Sequence, residues 1–185
     1  LRISLIQSSP NAIGSIYILH DFLFNKDYLN NLKQLVVEAL NKDSHYGLNN
    51  VKATSTDWQK LLQIKEMASF HSHILQTLLN IYSLRALNPN SPIQFSLDSS
   101  WGMKHKKGDH TIEHNHIPCA WSGAFYFDVP CDTFMYFADF NKEIKLENNM
   151  LVLFPGTTKH RVSEHTVEKE RISMAFNIDW NFNSF

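Results

Sequence analysis

The stretch HTIEHNH (110–116) places three histidines in seven residues, and His114 and His116 stand one residue apart. On a β-strand, side chains alternate between the two faces. Ile112, His114 and His116 would then share one face, with Thr111, Glu113 and Asn115 on the other. Ile112 beside the two imidazoles predicts that the histidine face points inward. Imidazoles at i and i+2 lie ~6–7 Å apart along a strand and can reach one metal ion from the same side. Glu113 would be directed away from such a metal. The bland alternative is a solvated strand that happens to carry histidine, since the chain has ten of them.

Two further segments bear on the choice. His160 follows a Pro-Gly turn in MLVLFPGTTKHRV, and after ten intervening residues comes RISMAFN (171–177). Arg171, Ser173 and Asn177 fall on one face of that strand. Taken singly, His160 reads as a loop histidine and Arg171 as an outward partner for Glu168 or Glu170. Taken together, His-x-His, a distant His and Arg-x-Ser describe a metal site beside an anion site. A guanidinium grips a carboxylate bidentately, and a serine hydroxyl two residues on adds another hydrogen bond.

These residues must be held by the elements around them, and the chain changes character near residue 90. IGSIYILHDFL (13–23) reads as a strand. NKDYLNNLKQLVVEALNKD (25–43) carries Leu29, Leu32, Val36, Ala39 and Leu40 at helical spacing. Gly47 and a pair of asparagines then break the pattern. A second helix is expected over 57–87, capped by Ser55 or Thr56, with a stripe of Leu61, Ile64, Met67, Ile74, Leu78 and Tyr82. His71 and His73 diverge by about 200° on that helix and read as helix surface rather than as ligands. Pro89 and Pro92 end the helical half. About eight short strands follow over 91–185, separated by Gly, Pro, Asn or charged turns, which suggests a jelly roll or small barrel. The expected fold is α+β, mainly β, with the two helices packed on one outer face. Residues 1–90 would serve as support and 91–185 as the β core of a single domain.

Bulk properties narrow the function classes. A chain of 185 residues suits one domain, and 43% hydrophobic with 12% aromatic residues argues against disorder. A net charge of −1 gives no global attraction to nucleic acid or membrane. Cys119 and Cys131 are too few for a disulfide framework, and they suit a reducing cytoplasm. No apolar run approaches the ~20 residues that span a bilayer, and the start does not read as a secretory signal. Leu1 in place of Met suggests a trimmed or processed start. The abundance of asparagine suits an AT-rich genome, such as that of a marine bacterium or its phage. KHKKG (104–108) reads as a solvated turn, or else as a rim attracting an anionic substrate. Trp101 and Trp121 read as core or pocket wall rather than as base-stacking platforms.

The motifs together resemble the Fe(II)/2-oxoglutarate-dependent oxygenases, and more closely a bacterial and phage branch of that superfamily. Members of that branch show an H-x-H-P-like stretch running into S-G-x-x-Y, then L-x-x-F-P, His-x-Val and a closing R-I-S-x-x-F-N. The corresponding segments here are HNHIPCAWSGAFYF, LVLFPGTTKHRV and RISMAFN. The similarity covers roughly 95–180, and the first strand and helix fit the family's start only loosely.

The resemblance implies a double-stranded β-helix with iron at its mouth. His114 would be the first ligand and His160 the distal one. Arg171 would bind the 5-carboxylate of 2-oxoglutarate with help from Ser173, and Tyr126 would be a further co-substrate contact. Fe(II), 2-oxoglutarate as a small-molecule co-substrate and dioxygen are implied. The reaction would hydroxylate a peptidyl side chain or a small molecule while 2-oxoglutarate is decarboxylated to succinate. Membrane association and nucleic-acid binding are not expected.

One departure matters. Most of the superfamily uses His-x-Asp/Glu, and this chain has His116 where the carboxylate stands. A three-histidine set of His114, His116 and His160 is expected; a metal held by His114 and His160 alone is the other possibility. Two rival classes remain. Gly108 with His114-x-His116 fits the opening of the cupin motif, but Ala120 and Trp121 occupy the place of its glutamate, and Arg171 would go unexplained. A non-enzymatic jelly-roll module, such as a phage structural protein, would need neither metal nor anion.

Overall fold

The computed structural model describes residues 2–7, 14–47, 50–85 and 94–181. In chain order its elements are β1 (Arg2–Gln7), β2 (Ser15–His20), α1 (Lys26–Lys42), β3 (His45–Tyr46), β4 (Val51–Lys52), β5 (Thr54–Ser55) and α2 (Ala68–Arg85). Then follow β6 (Gln94–His105), β7 (His110–His114), β8 (Trp121–Asp128), β9 (Phe134–Phe137), β10 (Lys142–Lys145), β11 (Met150–Pro155), β12 (His160–Val162) and β13 (Arg171–Asn181).

Two sheets face each other. The larger has eight strands in the order β1-β2-β11-β8-β13-β6-β5-β3, and the smaller has five in the order β10-β9-β12-β7-β4. The large sheet separates two apolar cores. On its outer side Leu151, Leu153, Phe125, Ile172, Met174 and Phe176 pack under Leu32, Val36, Leu40, Phe70, Ile74 and Leu78 of the helices. On its inner side Trp101, Met103, Ala124, Tyr126, Val152, Phe154 and Ala175 meet Met135, Phe137, Ile144 and Val162 of the small sheet. The alternation of β13 follows from this: Ile172, Met174, Phe176 and Ile178 go to the helices, so Arg171, Ser173, Ala175 and Asn177 face the small sheet.

The helices lie where their stripes require. Asn25 caps α1, its side chain accepting from the Tyr28 amide at 3.0 Å, a bond that contributes about 1 kcal/mol. Gly102 permits the close approach of α1 to β6, because a Cβ there would sit 2.9 Å from Val36 Cγ1. The second helix begins at Ala68 rather than at residue 57, after two short 3-10 turns, Lys60–Gln63 and Lys65–Met67. Ser55 and Thr56 do not cap it. The Thr56 amide donates to Gly102 O (3.1 Å) and its hydroxyl accepts from the Gly102 amide (3.0 Å), which ties this segment to β6 as extended chain. Leu61 and Met67 still reach the core, fully buried, from the turns. The expected helix end at 87 and the break at Pro89 and Pro92 lie outside the described residues.

The expected eight strands of the second half are present as β6–β13, and of the stretch 13–23 the strand β2 takes Ser15–His20, residue 13 lying outside the described residues. Strand β1 and the two-residue strands β3, β4 and β5 were not anticipated. His71 is buried rather than at the surface, with Nε2 3.1 Å from Ser100 Oγ, while His73 is exposed. Trp121 belongs to the helix-side core and Trp101 to the inner one. Both cysteines are free. No helix among the described residues is long and apolar enough to cross a membrane.

Candidate metal centre and anion site

His114 closes β7, His160 opens β12, and the two are directly paired. The next pair along is Thr111 with Val162, so β7 has Ile112 and Glu113 where β12 has only Arg161. This β-bulge breaks the alternation. Thr111 is buried, Ile112 is 40% exposed, and Thr111 and His114 line the same interior cavity. The expectation that Ile112 marks the inner face is therefore overturned, although His114 does face inward. Strict alternation would have directed His114 and Thr111 to opposite sides.

His116 lies beyond the end of β7 and reaches the site from a loop. Its amide donates to Gly156 O (2.7 Å), its carbonyl accepts from the Cys119 amide (2.8 Å), and the Gly156 amide donates to Ala120 O (3.1 Å). Gly156 allows this crossing, since a Cβ there would collide with the Cys119 carbonyl. The three imidazoles thus converge from a strand end, a loop and a strand start. Ring centroids are 4.5 Å apart for His114 and His160, 4.9 Å for His114 and His116, and 5.2 Å for His116 and His160. One ligand atom from each lies within 4.8 Å of the other two, and no carboxylate among the described residues joins the group.

Electrostatics prepare the cluster for a cation. His114 Nδ1 is 2.8 Å from the Ile112 carbonyl and His160 Nδ1 is 3.1 Å from the Thr158 carbonyl. Carbonyls only accept, so each Nδ1 carries the proton and each Nε2 keeps its lone pair. Burial lowers all three pKa values: that of His116 to about 4, that of His160 well below the usual range. Neutral imidazoles at pH 7 are the form that ligates metal.

Along β13, Arg171 is 1% exposed, and its Nε and Nη1 have no hydrogen-bond partner. Glu168 is paired with Lys107 (3.0 Å) and Glu170 with Lys104 (3.7 Å), so neither neutralises it. Ser173 Oγ is likewise buried and unpartnered. Tyr126, opposite Ser173 in the sheet, is 2% exposed, and burial raises its pKa while the Arg171 charge lowers it. A desolvated guanidinium beside an orphaned hydroxyl is costly unless an anion completes it.

His105 was missed from sequence because it sits inside KHKKG, which reads as a charged turn. It is 2% exposed, directly opposite Arg171, and neither ring nitrogen has a partner. Alternation from Trp101 and Met103 would have found it. Lys106 and Lys107 do form a solvated turn, next to the His105–Arg171 pair, and neither lines the cleft beside the histidines.

The cleft beside the histidines has a volume of about 290 Å³ and is walled by Trp58, Asp98, Trp101 and Asn177 besides His114 and His116. Trp58 and Asp98 carried no signal in the sequence. His114, His116 and Trp101 also line an interior cavity of about 40 Å³, together with His160, Tyr126 and Ala175.

No protein-family model matches the chain, and no curated protein matches it in sequence. Solved structures do match it in fold. A prolyl-4-hydroxylase from Pseudomonas putida superposes with a TM-score of 0.65 at 15% identity, covering 89% of this chain and 91% of its own. The viral collagen prolyl hydroxylase of Paramecium bursaria Chlorella virus-1, in its 2-oxoglutarate complex, gives 0.62 at 13% identity over 88% and 94% of the two chains. The epimerase SnoN, in complex with Fe3+, α-ketoglutarate and nogalamycin RO, gives 0.69 at 11% identity over 89% and 78%. The fold is the double-stranded β-helix. The architecture expected from the sequence is thereby borne out, with the helices on the outer face of the large sheet.

Proposed function

We propose that the protein is an Fe(II)- and 2-oxoglutarate-dependent dioxygenase. It hydroxylates a peptidyl side chain or a small molecule and converts 2-oxoglutarate to succinate and carbon dioxide. Two observations support this reading: a cluster of three neutral histidines, and a buried arginine with unsatisfied donors on the strand face turned toward the small sheet. The fold it shares with prolyl hydroxylases and with an iron- and α-ketoglutarate-bound epimerase supports the same class.

The side chains fit both groups. Imidazole nitrogen suits Fe(II), and His114, His116 and His160 approach from one side, leaving the cleft side open to other ligands. Arg171 Nε and Nη1 offer a bidentate fork to the distal carboxylate of 2-oxoglutarate, and the Ser173 hydroxyl adds a donor. Tyr126 lines the cavity of the three histidines and stands opposite Ser173, and His105 stands opposite Arg171. Bound iron with 2-oxoglutarate and dioxygen supplies the oxidising power that no side chain has. The Ile112 and Thr158 carbonyls fix the tautomers and orientations of His114 and His160. Phe154, Met103 and Ala175 keep water from the inner space.

His116 gives the site a neutral third ligand where a carboxylate would bring a negative charge. Anaerobic Fe(II) titration with and without 2-oxoglutarate tests the proposal. A visible metal-to-ligand charge-transfer band that forms only with both present is expected. Iron binding without the band points instead to a cupin-like metal enzyme, and binding of neither to a non-enzymatic jelly roll.

A further inference from the structure

We propose that the cleft over the three-histidine cluster receives a substrate group bearing a positive charge, an alkylammonium or a guanidinium. The chemistry done on that substrate rests on the oxygenase reading, whereas its recognition rests on the cleft wall.

Asn177 provides the first observation. It is 7% exposed, and its Nδ2 donates to Ser99 Oγ at 3.0 Å. Its Oδ1 is buried with no donor, in a residue that lines the cleft. A desolvated carbonyl oxygen on a cavity wall is completed by an N–H or O–H from a ligand.

The charge of the wall provides the second. Asp98 is the carboxylate of the lining, and no lysine or arginine stands beside it. Asp98 is exposed and makes no ion pair among the described residues, whereas Lys104 and Lys107 are taken up by Glu170 and Glu168. Asp179 stands near the same wall, its Oδ1 accepting from the Ala120 amide at 3.1 Å.

The third is aromatic. Trp58 is 52% exposed at the cleft and stacks on Trp101, with ring centroids 6.1 Å apart and planes at 30°. Indole faces attract cations more strongly than other rings do. A wall of indole, free carboxylate and orphaned acceptor is complementary to a cation with N–H donors on an aliphatic stem. An anionic group would meet Asp98 in a lining that holds no lysine or arginine.

The test uses N-acetyl-L-lysine methylamide and its arginine, norleucine and glutamate counterparts as probes. Their binding to the metal-free protein is followed by indole fluorescence and saturation-transfer NMR, then repeated anaerobically with Fe(II) and 2-oxoglutarate. The lysine or arginine probe is expected to bind about ten-fold more tightly than norleucine, and the glutamate probe to give no saturable signal. Asp98→Asn, an exposed substitution, should weaken the cationic probe about five-fold, and Trp58→Phe should remove most of the fluorescence change.

Equal binding of lysine and norleucine probes, unchanged lysine affinity in Asp98→Asn, or no saturable binding of any probe overturns the proposal. The two readings fail separately. A charge-transfer band without cation preference removes only the substrate inference, and cation preference without a band removes only the oxygenase reading.

Discussion

His105 on β6 and Arg171 on β13 are directly paired across the large sheet, both buried, and neither finds a hydrogen-bond partner for its inward nitrogens. Burial, and then the Arg171 charge, hold His105 neutral, with a pKa well below the usual range. The pair makes sense as two sides of one receptacle for an anion. On that reading its polar groups cost stability until an anion completes them, and stability of the empty state is exchanged for affinity.

His105→Leu should therefore raise the stability of the ligand-free protein by about 1 kcal/mol, because an apolar side chain replaces two unsatisfied nitrogens. The same variant should bind 2-oxoglutarate several-fold more weakly. Thermal unfolding and calorimetric titration check the two halves. A lower Tm with unchanged 2-oxoglutarate binding would make His105 a packing residue.

Arg171→Met should raise the apparent Kd for 2-oxoglutarate by at least about a hundred-fold, as loss of a charged, bidentate partner implies, with Fe(II) affinity nearly unchanged. Titrating each ligand separately distinguishes this from a structural arginine, for which both affinities would fall together.

His114→Ala and His160→Ala should each abolish iron retention, since each removes a ligand. His116 is the informative position. His116→Ala should weaken Fe(II) binding, and His116→Asp should restore it by supplying the carboxylate of the two-histidine, one-carboxylate set. Iron stoichiometry after desalting reads all four variants. Wild-type retention in His116→Ala would leave His114 and His160 as the only protein ligands.

Stability should fall as pH drops from about 6.5 toward 4, and stay flat just above that window. His71 shows why: burial lowers its pKa from 6.5 to about 4, so between those values the unfolded chain binds a proton that the folded one refuses. Proton uptake by the unfolded state pulls the equilibrium that way, and the cost grows to the order of 3 kcal/mol at the acid end. His116 adds to the slope in the metal-free protein. Urea unfolding between pH 7.5 and 4.5 should show this slope, and His71→Gln should reduce it. An equal slope in that variant would exclude His71 as a source.

Much of this was legible in the sequence because it depends on local periodicity. The α1 stripe of Leu32, Val36 and Leu40 and the alternation of β13 from Arg171 to Asn177 are read directly from spacing. His160 and Arg171 were found as members of a joint pattern that neither shows alone. Other features depend on pairings between distant segments. Thr56 bonded to Gly102 continues the path of β5 alongside β6 as extended chain, and no local signal near Thr56 reveals it. The same pairing brings Trp58 beside Trp101 and Asp98. The bulge at Ile112 and Glu113 carries no glycine or proline to announce it. His105 was hidden by its lysine neighbours, whose charge suggested solvent.

The bulge in β7 has a consequence for protein engineering. It absorbs one extra residue: with Ile112 and Glu113 opposite Arg161 alone, Thr111 and His114 share the inner face although they stand three positions apart. Deleting Ile112 alone should leave Thr111 and His114 two positions apart, so plain alternation keeps both inward and the cluster survives, whereas deleting Ile112 and Glu113 together should make them neighbours on opposite faces and turn His114 toward solvent. The cluster should thus depend on how many residues separate two strand positions as well as on which they are, so that one deletion is tolerated and a two-codon deletion becomes an off switch that touches no histidine.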